Sequence, residues 1–295
     1  MSTASAPAIQ GSAPAEAPAR LRARSGVWVG RIPAILAAAL LGFYLVAAFV
    51  PGLLAPHDAA EVNPNSILAA PSPAHPFGTD ELGRDILSRI IHAAGNSLLL
   101  GFGAVAIALV GGTVLGLSAA LGHRFTNAIL MRFVDIGLAF PELLLALLVI
   151  AIAGAGPTNA LLAIGIATIP TYARVIRAEA LSVRRSTYVE AARALGQPEW
   201  KVLVRHVLPN ALRPLIVIAT IGVGTATLAG AGLSFIGLGV SPPTPEWGSM
   251  LATARSFLQQ AWWYGAFPGL AITSLVVSTT VLGRALQART EGRAA

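Results

Sequence analysis

Residues 93–122 read AAGNSLLLGFGAVAIALVGGTVLGLSAALG and contain no Asp, Glu, Lys or Arg. A helix of about 20 apolar residues crosses the hydrocarbon core of a bilayer, so this stretch alone is long enough to span one. Five further apolar stretches reach spanning length: Ile32 to Leu54, about Ala128 to Ala153, about Asn159 to Ile176, within Pro214 to Ile236, and about Ala266 to Gly283. The turn Gly154-Ala155-Gly156-Pro157 separates the third from the fourth, because Gly and Pro break helices. Composition agrees. The chain is 55% hydrophobic and 11% charged, whereas a soluble domain carries about 25% charged residues. The fold class predicted is all-α, a polytopic membrane bundle of six transmembrane helices with short helices in its cytoplasmic loops. A soluble bundle with deeply buried helices is the alternative, and six long apolar runs weigh against it.

Loop charge predicts the orientation, since short cytoplasmic loops are enriched in Lys and Arg. Seventeen of the 20 basic residues fall on one side. These are Arg20, Arg22, Arg24, Arg31, Arg124 and Arg132, then Arg174, Arg177, Arg184, Arg185, Arg193, Lys201, Arg205 and Arg213, and finally Arg284, Arg289 and Arg293. Only Arg84, Arg89 and Arg255 fall on the other. Both termini are therefore expected in the cytoplasm. The chain divides into a disordered cytoplasmic tail (1–31), a first span (32–54), an external loop (55–92), a five-helix core (93–286) that includes a cytoplasmic loop (177–213), and a cytoplasmic tail (287–295). The first 24 residues are rich in Ala, Pro, Ser and Gly and cannot bury a core. A signal peptide over residues 20–50 is the alternative, but its apolar stretch is too long and starts late. The net charge of +7 lies between apolar runs and not on a polar face, so no nucleic-acid partner is implied. The bilayer is the partner that composition demands.

The cytoplasmic loop reads as two short helices. Thr187-Tyr188-Val189-Glu190 fits a capping box, and Ala191, Ala192 and Ala194 are strong helix formers. Gly196 can take the left-handed conformation that ends a helix. Pro198 suits the first turn of a second helix, Glu199 sits near its positive end, and Pro209 is expected to stop it. Such a compact helical end can enter a groove on another protein. A plain linker is the alternative.

The spaced set Glu190, Ala191, Ala192, Gly196, Leu208 and Pro209 resembles the EAA loop that marks membrane subunits of bacterial ABC importers. His206 stands where the general pattern prefers isoleucine. The run Arg205-His206-Val207-Leu208-Pro209-Asn210 instead looks like the dipeptide/oligopeptide branch, which also includes nickel and glutathione importers. Two further stretches resemble that branch: His75-Pro76-Phe77-Gly78-Thr79-Asp80-Glu81-Leu82-Gly83-Arg84-Asp85, and Pro242-Pro243-Thr244-Pro245-Glu246-Trp247-Gly248. The resemblance covers about His75 to Leu286. It implies a permease of type I importer-like fold in the bacterial cytoplasmic (inner) membrane. The implied partners are a second permease subunit, homologous or a copy, two cytoplasmic ATPase subunits or domains, and an extracytoplasmic substrate-binding protein. Glu190, Ala191, Ala192, Gly196, His206, Leu208 and Pro209 would couple to the ATPase. Gly78, Thr79, Asp80, Gly83, Arg84 and Asp85 would form an external docking loop, with a structural lid held by surface ion pairs as the other reading. Thr79 or Asp80 is expected to cap a short helix near Glu81. Trp247, Trp262 and Trp263 are expected at the membrane–water interface. Di- or oligopeptides are the favoured cargo, with nickel complexes and glutathione as alternatives.

Chemistry within the chain is sparse, and no enzymatic activity is expected. There is no cysteine, which excludes disulfides and thiol catalysis. A phosphate-cradling loop needs G-x-x-x-x-G-K-[ST], and the lone lysine, Lys201, follows Trp200. ATP and Mg2+ are therefore expected on partner subunits, with no cofactor here. Gly101-Phe102-Gly103-Ala104-Val105-Ala106 mimics a dinucleotide fingerprint but lies inside an apolar span. His57, His75, His92, His123 and His206 never fall at ligand spacing, so no metal site is expected. Gly112 and Gly116 form a small-xxx-small pattern suited to helix packing. Asp135 and Glu142 lie seven apart in the third span and are expected to share a helix face. A carboxylate in the membrane is costly unless paired or hydrated. Both are candidates to line a translocation path. Pairing of Asp135 with Arg132, or a protonated or helix-end-paired Glu142, is the alternative. An ion-gradient-driven transporter would show intramembrane acids in matched halves, and a membrane scaffold would leave the loop motif unexplained.

Overall fold

The computed structural model describes residues 31–291. The expected tail before Arg31 lies outside the described residues. The helices are α1 (Arg31–Phe49), α2 (Pro51–Leu54), α3 (Ile86–Leu121), α4 (Arg124–Ala139), α5 (Glu142–Ala153), α6 (Pro157–Arg184), α7 (Thr187–Ala194), α8 (Glu199–Val202), α9 (Leu208–Phe235), α10 (Trp247–Ala254) and α11 (Trp262–Glu291). Among the described residues no strand forms. Among the described residues five helical rods are long and apolar enough to cross a membrane: α1, α3, α6, the continuous run Glu199–Phe235, and α11.

The expected third span is not one helix. It is α4 and α5, bent by 99° at a short break. Pro141 causes the corner. Proline has no N–H to donate and pushes the residue before it out of the helical region, and Phe140 is extended at φ −96°, ψ 140°. Asp135 and Glu142 therefore lie on different helices and share no helix face.

Helices α3 and α6 run parallel and make the most extensive seam in the bundle. A Cβ built on Gly112 would stand 2.5 Å from Tyr172 Cβ, and one on Gly116 would stand 2.6 Å from the Ala173 carbonyl oxygen. Small residues permit this approach, which drives packing where lipid tails remove the hydrophobic incentive. Helix α9 returns antiparallel, with Gly101 of α3 against Val223 and Thr227. Helix α11 lies antiparallel to α9, with Gly224 against Thr279. Helix α1 is outermost. Its Tyr44 hydroxyl bonds Ser274 Oγ of α11 at 2.6 Å.

One end of the bundle is capped by residues 55–85 and 240–261. Trp247 is fully buried there, not interfacial as expected, and its Nε1 donates to the Ile90 carbonyl at 3.0 Å. The ring fills a gap between α1 and α3, edge-on to Tyr44 at 5.2 Å. Trp263 is also buried, and Trp262 alone of the three is exposed. Glu246 caps α10, accepting from Ser249 N at 2.8 Å and from Ser97 Oγ of α3 at 3.2 Å. Burial pushes its carboxyl above the usual range. The opposite end carries residues 185–207 and is called the hairpin end.

The seam yields a prediction. Gly116→Val directs a branched side chain at the Ala173 backbone, and overpacking of this kind costs about 1–3 kcal/mol. The melting temperature of the detergent-purified variant is expected to fall by several degrees. Gly232→Ala, where nothing lies within 4 Å, is expected to change stability by no more than about 1 kcal/mol.

Candidate functional site

The hairpin grows directly from α6, which runs past Ile176 to Arg184. Helix α7 then starts at Thr187 with Ser186 at its N-cap, and no side chain caps it. The expected capping box from Thr187 to Glu190 is not formed, because Thr187 already occupies the first helical position. The Ser186 hydroxyl turns back to the Val183 carbonyl, while the Ser186 carbonyl accepts from Val189 N and Glu190 N at 3.0 and 3.1 Å. The far end matches expectation. Gly196 has φ +78°, its N–H donates to the Arg193 carbonyl at 2.9 Å, and Gln197 N donates to the Ala192 carbonyl at 3.2 Å. That crossed pair ends a helix in a left-handed residue.

Pro198 is the N-cap of α8 and not part of its first turn. Pro209 does not stop the second helix. The backbone widens into a π turn over Leu203–Val207, Leu208 N donates to the Leu203 carbonyl, and α9 continues through Pro209. A widened turn accommodates a proline that would otherwise clash with the carbonyl one turn back.

One face of the hairpin is buried. Val189, Ala192, Val202 and Val207 pack with Ala120 at the end of α3 and Ala180 near the end of α6. Arg184 Nη1 donates to the Ala120 carbonyl at 2.6 Å. Arg193 joins the two arms, donating to Glu199 Oε1 at 2.7 Å. That guanidinium holds the Glu199 carboxyl below the usual carboxylate range. The other face is open. Glu190, Ala191, Gly196 and Pro209 are exposed, and His206 and Leu208 are half-buried. Leu195 is 82% exposed and Trp200 68%, with Tyr188 beside them in the same loop. Large apolar side chains left in solvent mark a contact surface. Tyr188, Leu195 and Trp200 escaped the sequence reading. Their signal was size and apolarity in an otherwise polar loop.

A second polar region lies along α6. Asp135 pairs with Arg174 and not with Arg132, the partner of the alternative reading. Glu142 accepts a hydrogen bond from Thr168 Oγ at 2.6 Å. Both partners project from α6, so the two acids meet one helix although they share none. Both ion-pair members are about half exposed in the single chain. Nothing in residue type or spacing points to Thr168 or Arg174 as partners.

The stretch Gly78–Asp85 is a buried knot and not a surface patch. Gly78, Thr79, Asp80, Gly83, Arg84 and Asp85 are all buried. Asp80 Oδ2 accepts from Arg84 Nε at 2.7 Å, and Oδ1 accepts from Leu82 N and Arg84 N at 2.9 Å each. Arg84 Nη2 donates to Glu81 Oε1 at 2.9 Å, and the Tyr264 hydroxyl of α11 donates to Glu81 Oε2. Arg89 lies 3.4 Å from Asp80 Oδ2 without hydrogen-bond alignment, and its Nη1 donates to the Ala59 carbonyl at 3.1 Å. No helix starts at Glu81. Asp85 instead caps α3, accepting from Ser88 N at 2.8 Å. Gly83 has φ +74°, and a Cβ there would collide with the Asn63 carbonyl. The structure also brings His57, His75 and Asp85 together, a grouping that their distance along the chain conceals.

The family described as "Binding-protein-dependent transport system inner membrane component" matches residues 112–292. The chain belongs to this family. Curated relatives of this permease cover most of its length. A dipeptide transport system permease protein of Alkalihalophilus pseudofirmus is 44% identical over 84% of this chain and 81% of that one. A probable D,D-dipeptide transport system permease protein of Escherichia coli is 46% identical over 78% and 77%. A glutathione transport system permease protein of Pectobacterium atrosepticum is 40% identical over 85% and 84%. Among solved structures, a chain of the inward-facing MetNI methionine ABC transporter superposes with a TM-score of 0.57, at 18% identity, over 70% of this chain and 97% of that one. A chain of an amino acid ABC transporter superposes with a TM-score of 0.53 at 19% identity, over 70% and 94%. The permease fold is thus that of type I ABC importers, and the chain is a multi-pass membrane protein. The transport reading stands over the scaffold alternative, and the ATP-driven reading over the ion-gradient one.

Removing one partner of a buried ion pair strands the other, at a cost of about 3–5 kcal/mol. Arg84→Met in the permease is expected to lower the melting temperature sharply by that mechanism. Leu82→Ala, on an exposed neighbour, is expected to leave it within a degree or two.

Proposed function

We propose that this permease moves di- or oligopeptides inward, delivered by an extracytoplasmic binding protein and driven by two ATPase subunits, one of them seated on the 187–209 hairpin. The observation that carries the reading is the two-faced hairpin. Its inner face is fixed to the ends of α3, α6 and α9, and its outer face leaves Leu195 and Trp200 in solvent. A partner gripping that face moves three helices at once. ATP and Mg2+ belong to the ATPases, and both permease termini lie in the cytoplasm with the hairpin. The distribution of Lys and Arg supports that side.

A second permease subunit completes the path. Asp135, Glu142 and their α6 partners face that path. The names of the relatives support peptide cargo, and the glutathione permease at 40% identity supports glutathione as the second reading. The buried knot at residues 78–85 holds the capped end in shape, and the exposed residues around it receive the binding protein.

The absence of cysteine permits a clean contact test. Leu195→Cys carrying a photo-crosslinker is expected to join the ATPase in the assembled complex. In intact cells the same thiol is expected to resist an impermeant maleimide that labels Val62→Cys. Crosslinking to no ATPase, with the thiol open to solvent in the complex, would overturn the coupling role.

Glu142→Gln removes a charge from the path. Uptake of a lysine-containing dipeptide is expected to fall about tenfold relative to dialanine, equivalent to ~1.4 kcal/mol of lost attraction. Equal effects on both cargoes in reconstituted vesicles would remove Glu142 from the path.

A further inference from the structure

We propose that His57, His75 and Asp85 form a binding site for one divalent late transition-metal ion of the zinc class. One ligand atom from each lies within 4.8 Å of the other two. His75 Nδ1 stands 3.0 Å from Asp85 Oδ1, and His57 Nδ1 stands 3.8 Å from Asp85 Oδ2. An ion bound at the usual zinc–nitrogen and zinc–oxygen distances in tetrahedral geometry separates its ligands by about 3.3 Å. The two measured separations, one to each oxygen of the Asp85 carboxylate, lie either side of that value.

The site is built and not merely crowded. Asp85 is buried and held as the cap of α3, its Oδ2 accepting from Ser88 N at 2.8 Å and Ser88 Oγ at 2.7 Å. The same Ser88 hydroxyl accepts from the backbone N of His57 at 3.0 Å. One side chain therefore positions the carboxylate and a histidine together, which is what supporting groups do around metal ligands. His75 sits in a tight turn, its N accepted by Ser72 Oγ at 3.2 Å and its carbonyl accepting from Gly78 N at 2.8 Å. The two imidazole rings lie 4.9 Å apart.

A polar atom in the cluster also lacks a partner. His57 Nδ1 is buried with no hydrogen bond, a state that buried polar atoms rarely tolerate. A cation between the three groups would satisfy it. Two imidazoles with one carboxylate suit zinc and its neighbours and not calcium or magnesium, which take all-oxygen sets. The fourth position opens on a cleft of about 180 Å3 that Asp58 and Glu61 also line. Water or one of those carboxylates completes the set. The ion would fasten the segment carrying His57 and the turn carrying His75 to the first turn of α3. The site lies at the capped end, in the 55–85 segment and the α3 cap, and it does not depend on the cargo or on the ATPase contact.

The test uses the full chain purified in detergent, stripped with a chelator and titrated with Co2+ as an optical probe. One Co2+ per chain is expected, with the intense visible bands of four-coordinate cobalt, displaced by Zn2+. His57→Ala and His75→Ala are each expected to weaken binding at least about 100-fold, and Ser88→Ala about 10–100-fold. His123→Ala, outside the cluster, is expected to bind as the parent does. Zn2+ is expected to raise the melting temperature of the parent and not of either cluster variant. Equal melting temperatures in chelator show that a variant is folded. His57→Gln serves where His57→Ala is not. Absence of the cobalt bands in the parent, or bands that persist in both histidine variants, would overturn the site.

Discussion

The close parallel contact between α3 and α6 is the constraint on which the remaining structure depends. Gly112 and Gly116 let the two backbones meet where any side chain would collide with Tyr172 or the Ala173 carbonyl. Because the helices run parallel, their C-terminal ends arrive side by side. The hairpin that follows α6 can then rest on both, with Arg184 reaching the last turn of α3. Were the seam a few ångströms wider, Val189 and Val202 would cover a gap. The hairpin would hang from α6 alone.

The other end is secured by charge instead of by small residues. Asp80, Arg84, Glu81 and Tyr264 form a chain of hydrogen bonds from the 78–85 stretch to α11. Glu246 and Trp247 reach from the start of α10 to Ser97 and Ile90 of α3. Two motifs far apart in sequence therefore brace two helices, α11 and α3, at the same end of the bundle. Buried ion pairs contribute little net stability against an apolar alternative. Their directionality instead fixes which loop meets which helix, and an apolar plug would leave that choice open.

The spanning helices were legible because lipid-facing rods must be apolar nearly all round, and composition alone reveals that. The hairpin was legible because Gly196 and the alanines before it carry local conformational rules. What failed were cases where tertiary contact overrode a local rule. Apolar residues on both sides of Pro141 make the third span read as one rod, so the corner there leaves no trace in composition. Pro209 was read as a stop because a π turn cannot be foreseen from residue type. Trp247 was assigned to the interface by its amphipathic ring, yet its N–H found the Ile90 carbonyl inside the bundle. Thr187 looked like a cap because the extension of α6 that places Ser186 there was unseen. His57, His75 and Asp85 converge through the folding of an irregular segment, which leaves no periodic trace.

The unbroken helical run from Glu199 to Phe235 has a geometric consequence. At 1.5 Å per residue, 37 residues make a rod about 55 Å long. Its tip at the hairpin end carries Trp200 and its other tip ends beside the capped loops. A stiff rod pivoting near its foot magnifies small rotations, and a tilt of only about 5° swings the distant tip by roughly 5 Å. Modest motion at the hairpin end is thereby enough to displace the opposite, capped end, with no need for any helix to unfold.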